Sequence, residues 1–358
     1  MLQRVRKRPR EARGRRDRAD AAGFDVDANA LAGPGDPPFP RRPRDVFRLP
    51  PPRSTLRFSA RHKRTDAAVR VAVSPILWHN EDIPDLMPPI DALAMLDEIA
   101  AAGYDATEYS SLFPAAPAAV RALLEPRGVR LVSAYIALRV PGPDADAEVA
   151  AARARARFVR DAGGDVLVAA LDYDDRRVAI AGSVGAGDPK LDDEGWSAVV
   201  GALHEVGRTC NEIGVRLAVH NEAGTFVETP DEFDELARRT DPALVALCLD
   251  VGHLTVGGGD AVAFLSEHRA RIEHVHIKDA DRAVLDGMRR REFGMMEALR
   301  RGVFCELGTG ALDIEGLVRE LRDSAYDGWA VLEQDSTHGR PFDAAKHNRD
   351  TFRRLAGV

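Results

Sequence analysis

From Val69 onward, short β-branched segments alternate with amphipathic segments eight times, and this alternation constrains the fold more than any other feature of the sequence. The short segments have the length and the Val, Ile and Leu content of strands that are buried on both faces, as in a parallel sheet. We predict eight strands, at residues 69–74, 104–109, 129–136, 165–171, 215–220, 244–250, 271–278 and 329–333.

Between these strands, apolar residues recur at helical spacing, and glycine follows several of the segments where a helix would end. In the first of them, Pro89 suits the first turn and Leu93, Leu96 and Ile99 form the apolar stripe. The pattern predicts helices over residues 89–102, 117–127, 144–162, 193–213, 230–239, 260–269, 314–324 and 344–355.

Eight strand–helix units over about 290 residues have the number and length of a (β/α)8 TIM barrel, which is the predicted α/β fold. A doubly wound open sheet is the alternative. We disfavour it because no glycine-rich phosphate-binding loop follows the first strand.

The first 66 residues differ in composition from the rest of the chain. Residues 1–64 carry 18 Lys and Arg against 7 Asp and Glu, whereas the remainder carries 32 against 50. Nine of the 22 prolines lie there without apolar periodicity, so we predict a disordered Arg/Pro-rich tail over 1–66 before a barrel domain over 67–358. A misassigned translation start would account for such a tail. A nucleic-acid-binding or partner-binding arm is the functional alternative, but the acidic barrel argues against specific nucleic-acid binding.

Apolar segment lengths and cysteine usage indicate the compartment. No apolar run approaches the roughly 18 residues that span a bilayer, and no apolar block of signal-peptide type follows the N-terminal arginines. Cys210, Cys248 and Cys305 lack metal-type spacing and fit buried free thiols in a reducing compartment. We therefore expect a cytoplasmic protein without a membrane segment, and a homo-oligomer is compatible with the sequence.

Four predicted strands end in residues of the metal-ligand type. His220 ends the fifth strand, Asp250 the sixth and Glu333 the eighth, and His276 lies near the end of the seventh. The carboxyl ends of barrel strands meet at one mouth, so these side chains are expected to converge. Two imidazoles and two carboxylates form a mixed nitrogen and oxygen site that suits Mn²⁺, Co²⁺, Zn²⁺ or Fe²⁺. We expect Mn²⁺ or Co²⁺, with Zn²⁺, Fe²⁺ or Mg²⁺ as alternatives. A single strand-end aspartate is commonly a helix N-cap, but four such residues exceed what capping explains.

Two of these strands carry a second polar residue on the same face. His274 and His276 share one face of the seventh strand because side chains alternate along a strand. We assign His276 to the metal and His274, which lies deeper in the barrel, to the core or to the surroundings of the metal. Glu222 shares a face with His220 and is the substitute ligand if His220 does not bind.

Three further residues near strand ends are candidate catalytic groups. His253 could orient a ligand or bind substrate. It could also shuttle a proton, since the ordinary pKa of histidine is about 6.5. Lys278 could neutralise an enolate or bind hydroxyl groups, and Glu108 could act as an acid or a base. Each also has a structural interpretation: an ordinary loop histidine, a solvated lysine, and a carboxylate that only hydrogen-bonds its neighbours.

Several stretches carry a resemblance to a known family and follow one another in the expected order. They are Ser-Pro-Ile-Leu-Trp-His-Asn-Glu-Asp-Ile-Pro (74–84), Leu-Asp-Val-Gly-His-Leu (249–254), His-Val-His-Ile-Lys-Asp (274–279), Gly-Thr-Gly (308–310) and Glu-Gln-Asp (333–335). Together they resemble the xylose isomerase-like TIM-barrel superfamily of sugar isomerases and epimerases and, within it, the inosose dehydratase family.

The resemblance implies a divalent metal held by Glu, Asp, His and Glu from strands five to eight. Asp250, His276 and Glu333 match that set. Many members of the superfamily have Glu at the strand-five position, but this chain has His220 there, and in this it resembles the inosose dehydratases. This difference leaves the fourth ligand open between His220 and Glu222.

The resemblance also implies which residues contact a substrate. Trp78, Asn80 and Asp82 belong to the family's opening motif after strand one, and Glu222 and Lys278 lie at strand ends. The expected partner is a small polyol or sugar.

The implied activity is that of a metal-dependent carbon–oxygen lyase that dehydrates a keto-inositol through an enediolate, in inositol catabolism. A base, His253 or Glu333, would remove the α-proton, and Lys278 or Glu108 would assist at oxygen. A sugar isomerase or epimerase acting on a ketose is the first alternative. A non-catalytic sugar-binding barrel is the second.

Overall fold

The computed structural model describes residues 69–357, and these residues contain a closed barrel of eight parallel strands. Strand β1 pairs with β2 on one side and with β10 on the other, which closes the sheet. The predicted TIM barrel is therefore confirmed, whereas the tail predicted over residues 1–66 lies outside the described residues. The strands are β1 (Arg70–Val73), β2 (Ala106–Glu108), β3 (Arg130–Leu138), β4 (Val166–Leu171), β5 (Arg216–His220), β6 (Ala246–Asp250), β7 (Ile272–Ile277), β8 (Asp279–Ala280), β9 (Phe304–Cys305) and β10 (Trp329–Leu332), of which β8 and β9 form a separate two-stranded sheet.

Helices connect the strands. No helix within residues 69–357 combines the length and apolar character that spanning a membrane requires. The helices are α1 (Ala92–Ala101), α2 (Pro117–Leu124), α3 (Ala145–Ala162), α4 (Asp175–Val178), α5 (Asp193–Ile213), α6 (Pro230–Arg239), α7 (Val251–Val256), α8 (Ala261–His268), α9 (Arg282–Arg289), α10 (Met295–Arg300), α11 (Ile314–Asp323) and α12 (Pro341–Ala356), with 3-10 turns at Pro75–Leu77 and Glu125–Arg127.

The strands bury both of their faces, which explains their nearly continuous apolar sequences. Outward-facing residues such as Val219 and Leu249 pack in the main apolar cluster together with helix residues such as Leu203. Inward-facing Ala218 and Cys248 belong to a separate small cluster inside the barrel. Since side chains alternate, the residues two positions further along β5 and β6 also face inward, at the carboxyl end of the barrel.

Strand register brings the predicted metal ligands to one height. Asp250 on β6 is paired with His276 on β7, and His276 is paired with Val331 on β10. Glu333 follows Val331 by two residues and therefore continues the same face.

The first helix begins later than the sequence predicted. Asp91 caps it, with its side chain accepting a hydrogen bond from the Ala94 N–H at 2.9 Å, so Pro89 lies before the helix rather than in its first turn. Leu96 and Ile99 are buried, but Leu93 is 53% exposed and lies outside the packed face.

The segment between β7 and β10 contains two helices that the sequence analysis did not predict. Residues 281–303, here called the cap, contain α9 and α10. Apolar side chains of the cap, among them Met288 and Leu299, pack in one cluster with Ile83, Ala223 and Val256 from elements at the carboxyl ends of the strands. The cap therefore covers part of the barrel mouth.

Asp279 anchors the loop that follows the cap. Its carboxylate is fully buried and accepts hydrogen bonds from the backbone N–H groups of Gly308 and Gly310, both at 2.9 Å, and of Leu312 at 3.0 Å. One charged side chain thus satisfies three backbone donors that lie about 30 residues further along the chain.

We expect Asp279→Ala to lower the free energy of unfolding by about 3 kcal/mol, because these backbone donors lose a charged acceptor. For a barrel of this size that corresponds to a decrease in melting temperature of about 5 °C, measured by circular dichroism. Asp281→Ala is the matched control, since Asp281 caps α9 through the Val284 N–H and should cost only about 1 kcal/mol. Equal losses in the two variants would contradict the anchoring role of Asp279.

Candidate functional site

The four predicted metal ligands converge at the carboxyl ends of β5, β6, β7 and β10. His220 Nε2 lies 3.2 Å from Asp250 Oδ2, and His276 Nδ1 lies 3.7 Å from the same oxygen. Glu333 Oε2 is 2.8 Å from His276 Nδ1. All four residues are buried.

The unmet hydrogen-bonding capacity of these residues fits a cation. The Nδ1 atoms of His220 and His276 are buried and make no hydrogen bond of good geometry, although carboxylate oxygens lie close to both. Two groups with metal-ligand spacing, here called the ligand clusters, consist of His220, Asp250 and His276 and of Glu108, His276 and Glu333. A third group with such spacing consists of Cys248, His274 and His276. Two imidazoles and two carboxylates are donors that divalent transition metals accept, so these residues could hold such an ion.

Lys278 contacts two carboxylates of this cluster. Its Nζ is 2.6 Å from Glu333 Oε1, 3.1 Å from Asp250 Oδ2 and 3.2 Å from Asp335 Oδ2. The side chain is fully buried; burial alone would lower the pKa of Lys278, but the three carboxylates outweigh it and hold the pKa well above its usual value. Lys278 is therefore an ammonium ion that offsets the negative charge of Asp250, Glu333 and Asp335.

The Asp-Val-Gly-His motif makes room for this lysine. A side chain on Gly252 would collide with the Lys278 methylene groups and with the Phe304 ring. The Lys278 ammonium group also lies over the face of the Phe304 ring, 4.5 Å from the ring centroid. Glycine at position 252 is thus required by close packing rather than by an unusual backbone angle.

A cavity of about 250 Å³ opens over the cluster. It includes several of the predicted site residues, whereas Asp250 and Lys278 lie behind its wall. The cavity is lined by Ser74, Pro75, Ile76, His79, Glu81, Asp82, Glu108, Tyr109, Ser110, Ser111, Tyr135, Arg155, His220, Glu222, His253, His276, Glu333 and Asp335.

Two residues predicted to contact substrate have other partners. Trp78 is buried and donates from Nε1 to Glu98 Oε2 at 2.7 Å, so its ring is held against α1 rather than at the cavity. Asn80 accepts from the backbone N–H groups of Asp82 and Ile83 and shapes the loop after β1. Asp82, from the same motif, does line the cavity.

Glu222 is the centre of a second hydrogen-bonded group on the cavity wall. Its carboxylate oxygens lie 3.1 Å from His220 Nδ1 and 3.1 Å from His253 Nε2, and accept from the hydroxyls of Tyr135 and Tyr173 at 3.3 Å. Burial opposes ionisation, but the neighbouring histidines outweigh it and lower the pKa of Glu222 to about 2. Glu222 lies on the far side of His220 from Asp250 and belongs to neither ligand cluster.

The hydrogen bonds of His253 define its tautomer. Its Nδ1 accepts from the backbone N–H of Ala223 at 3.1 Å, so that nitrogen carries a lone pair. Burial lowers the pKa of His253 to about 4, which keeps the ring neutral with its proton on Nε2. His253 therefore presents an N–H donor to Glu222 rather than a lone pair to the cavity.

Three cavity residues or their neighbours were not assigned a role from the sequence. Tyr135 lies within β3, where an aromatic residue is typical of a strand and indicates no further role. Tyr173 follows the end of β4 by two residues. Asp335 shares a face with Glu333, and that alternation could have identified it. Burial together with nearby carboxylates raises the pKa of Asp335 to about 7.

A barrel with a histidine–carboxylate cluster at the carboxyl ends of its strands defines the class of the protein. Residues 96–355 match the family described as "Xylose isomerase-like TIM barrel". The chain belongs to this family, which confirms the resemblance seen in its motifs.

Three individual proteins show how similar this chain is to members of known families in sequence and in fold. An inosose dehydratase of Geobacillus kaustophilus (strain HTA426) is 33% identical over 301 residues, which cover 82% of this chain and 96% of that protein. Among solved structures, the IOLI protein with a binding zinc atom superposes with a TM-score of 0.62 at 13% identity, covering 81% of this chain and 98% of that chain. A D-allulose 3-epimerase from Methylomonas sp. in complex with D-allulose gives a TM-score of 0.61 at 16% identity, with 81% and 98% covered. At these identities the two structures indicate a shared fold alone.

We expect His276→Ala to lose binding of a divalent ion, because His276 is shared by both ligand clusters. Isothermal titration with Mn²⁺ measures this directly. His79→Ala is the control, since His79 also lines the cavity but belongs to neither cluster. A full equivalent of tightly bound Mn²⁺ in His276→Ala would exclude the proposed ligand set.

Lys278→Met should destabilise the metal-free protein by about 3–5 kcal/mol, because three buried carboxylates lose their counter-charge. Added Mn²⁺ should then raise the melting temperature more than it does in the wild type, since a divalent ion can replace the missing positive charge. Lys346→Met is the control, because Lys346 is exposed and pairs with Asp350 one helical turn away. An unchanged metal-free melting temperature in Lys278→Met would contradict the counter-charge role.

Proposed function

We propose that this chain is a divalent-metal-dependent lyase that dehydrates a keto-inositol. The observation that carries the proposal is the match to an inosose dehydratase across nearly the whole length of that relative. The cavity supports it, because its polar wall of carboxylates, hydroxyls and imidazoles suits a polyhydroxylated substrate of small size.

The metal would be held by His220, Asp250, His276 and Glu333. We propose Mn²⁺ or Co²⁺, since a mixed nitrogen and oxygen donor set accepts both. A divalent ion there supplies Lewis-acid polarisation of a substrate carbonyl, which acidifies the neighbouring C–H group.

The remaining chemistry falls to side chains of this chain. Glu222 is the carboxylate that could remove the α-proton, because it lines the cavity and donors from Tyr135 and His253 orient it. It also lies 3.1 Å from Nδ1 of the proposed ligand His220. We therefore propose Glu222 rather than His253 as the base, since the Nδ1 lone pair of His253 accepts a hydrogen bond from the Ala223 N–H. The protonated Glu222 could then return its proton to the departing β-hydroxyl group, which leaves as water.

The other carboxylates have different surroundings. Glu333 faces His276 and Lys278, so its negative charge is used within the metal cluster. Lys278 lies behind the cavity wall and acts on the substrate only through the carboxylates that it neutralises. Three free cysteines agree with our proposal of a cytoplasmic location.

The full-length protein loaded with Mn²⁺ should convert 2-keto-myo-inositol into a dione, followed by its ultraviolet absorbance, and chelation should stop the reaction. Exchange of the α-proton of ketohexoses with solvent, without dione formation, would instead indicate an isomerase or epimerase. Binding of these compounds without either reaction would indicate a non-catalytic barrel.

Glu222→Gln should lower kcat by about 10²–10⁴-fold at Mn²⁺ concentrations that saturate the variant, because the amide cannot accept the α-proton. Glu81→Gln is the matched control, since Glu81 also lines the cavity but is exposed and bonded only to the Ser111 backbone. A Glu222→Gln variant with wild-type kcat would assign the base elsewhere.

A further inference from the structure

Glu108 connects the two histidines of β7 from the opposite side of the barrel. It ends β2, and its Oε1 accepts a hydrogen bond from the Ser133 hydroxyl at 2.6 Å. The Nε2 atoms of His274 and His276 each lie 3.2 Å from the same oxygen. Glu108 and both histidines are buried, so water does not compete for these contacts.

These contacts determine where the protons lie. An ionised carboxylate only accepts hydrogen bonds, so both imidazoles must present an N–H group at Nε2. The other nitrogen of His276, Nδ1, then faces Glu333 Oε2 at 2.8 Å and Asp250 Oδ2 at 3.7 Å. The His276 ring thus donates from Nε2 to Glu108 and presents Nδ1 to Glu333 and Asp250.

His274 makes the same contact with Glu108 as His276 does, but the surroundings of its other nitrogen differ. It is fully buried and reaches the same oxygen, but its Nδ1 has no hydrogen-bonding partner among the described residues. What distinguishes His276 is the pair of carboxylates that Nδ1 faces, two residues nearer the mouth of the barrel.

We propose that Glu108 is a positioning residue that holds His276 in the tautomer and orientation that present Nδ1 to a divalent cation. The proposal rests on the metal site of the proposed function. It assigns Glu108 a role different from the acid–base role predicted from the sequence. A carboxylate behind a ligating histidine fixes its ring and strengthens it as a ligand, and loss of such a partner typically weakens metal binding by about 10–100-fold.

The test compares Mn²⁺ dissociation constants of full-length variants by isothermal titration. Glu108→Gln keeps the shape of the side chain but removes its charge, and should raise the dissociation constant at least about tenfold. Ser133→Ala is the matched control, because it removes the third donor to Oε1 and leaves the carboxylate in contact with His276; its dissociation constant should stay within about threefold of the wild-type value. Melting temperatures of the metal-free variants identify any that do not fold.

A second measurement needs no variant. In the wild-type protein loaded with Zn²⁺ and labelled with ¹⁵N-histidine, two-bond proton–nitrogen NMR correlations should show His276 protonated at Nε2. An unprotonated Nε2 would overturn the proposal, and so would Glu108→Gln with wild-type Mn²⁺ affinity and reduced kcat, which would make Glu108 an acid–base group.

These outcomes are separable from a failure of the proposed function. If the wild type binds Mn²⁺ but forms no dione, the lyase proposal fails, while the tenfold difference in affinity still supports the role of Glu108. If the wild type binds no divalent cation, the positioning role is overturned together with the metal site.

Discussion

One buried ammonium group lies within hydrogen-bonding distance of three buried carboxylates, and the mouth of the barrel depends on this balance of charge. Asp250, Glu333 and Asp335 would repel one another in a medium of low polarity without Lys278 between them. The parallel strands bring these side chains together because their carboxyl ends all meet at one opening. His220 and His276, the proposed ligands, contact Asp250 and Glu333 as well, and a divalent ion held there would complete the neutralisation of the cluster.

The cavity has two polar faces with different partners. On one face, Glu333 contacts the Lys278 ammonium group and the His276 ring. On the other, Glu222 is held by tyrosine hydroxyls and by a neutral histidine. His220 stands between them, with Nε2 toward Asp250 and Nδ1 toward Glu222. This arrangement separates a carboxylate suited to proton transfer from the carboxylates suited to holding a cation.

Much of the fold and the ligand cluster could be predicted because both follow from periodicity. Helix α5 was predicted with the bounds that the structure has, and α6 likewise, since apolar spacing and caps define them locally. The convergence of Asp250, His276 and Glu333 follows from alternation along strands that end at one face. Roles that depend on a single hydrogen bond could not be predicted: Trp78 turns toward Glu98, and His253 loses its free lone pair to a backbone N–H. Tyr173 and the helices of the cap were missed because long-range packing, rather than local pattern, places them.

Phe304, the residue that follows the cap, connects the cap with the ion cluster. Its ring packs in the apolar cluster of the cap and also lies against the Lys278 ammonium group. The cap thereby excludes solvent from the ion cluster and lowers the local dielectric constant, which strengthens each charge–charge interaction beneath it. Insertions between β7 and β10 are accordingly coupled to the electrostatics of the barrel. A shorter cap would weaken the attraction between Lys278 and its carboxylates without altering any residue of the cluster itself.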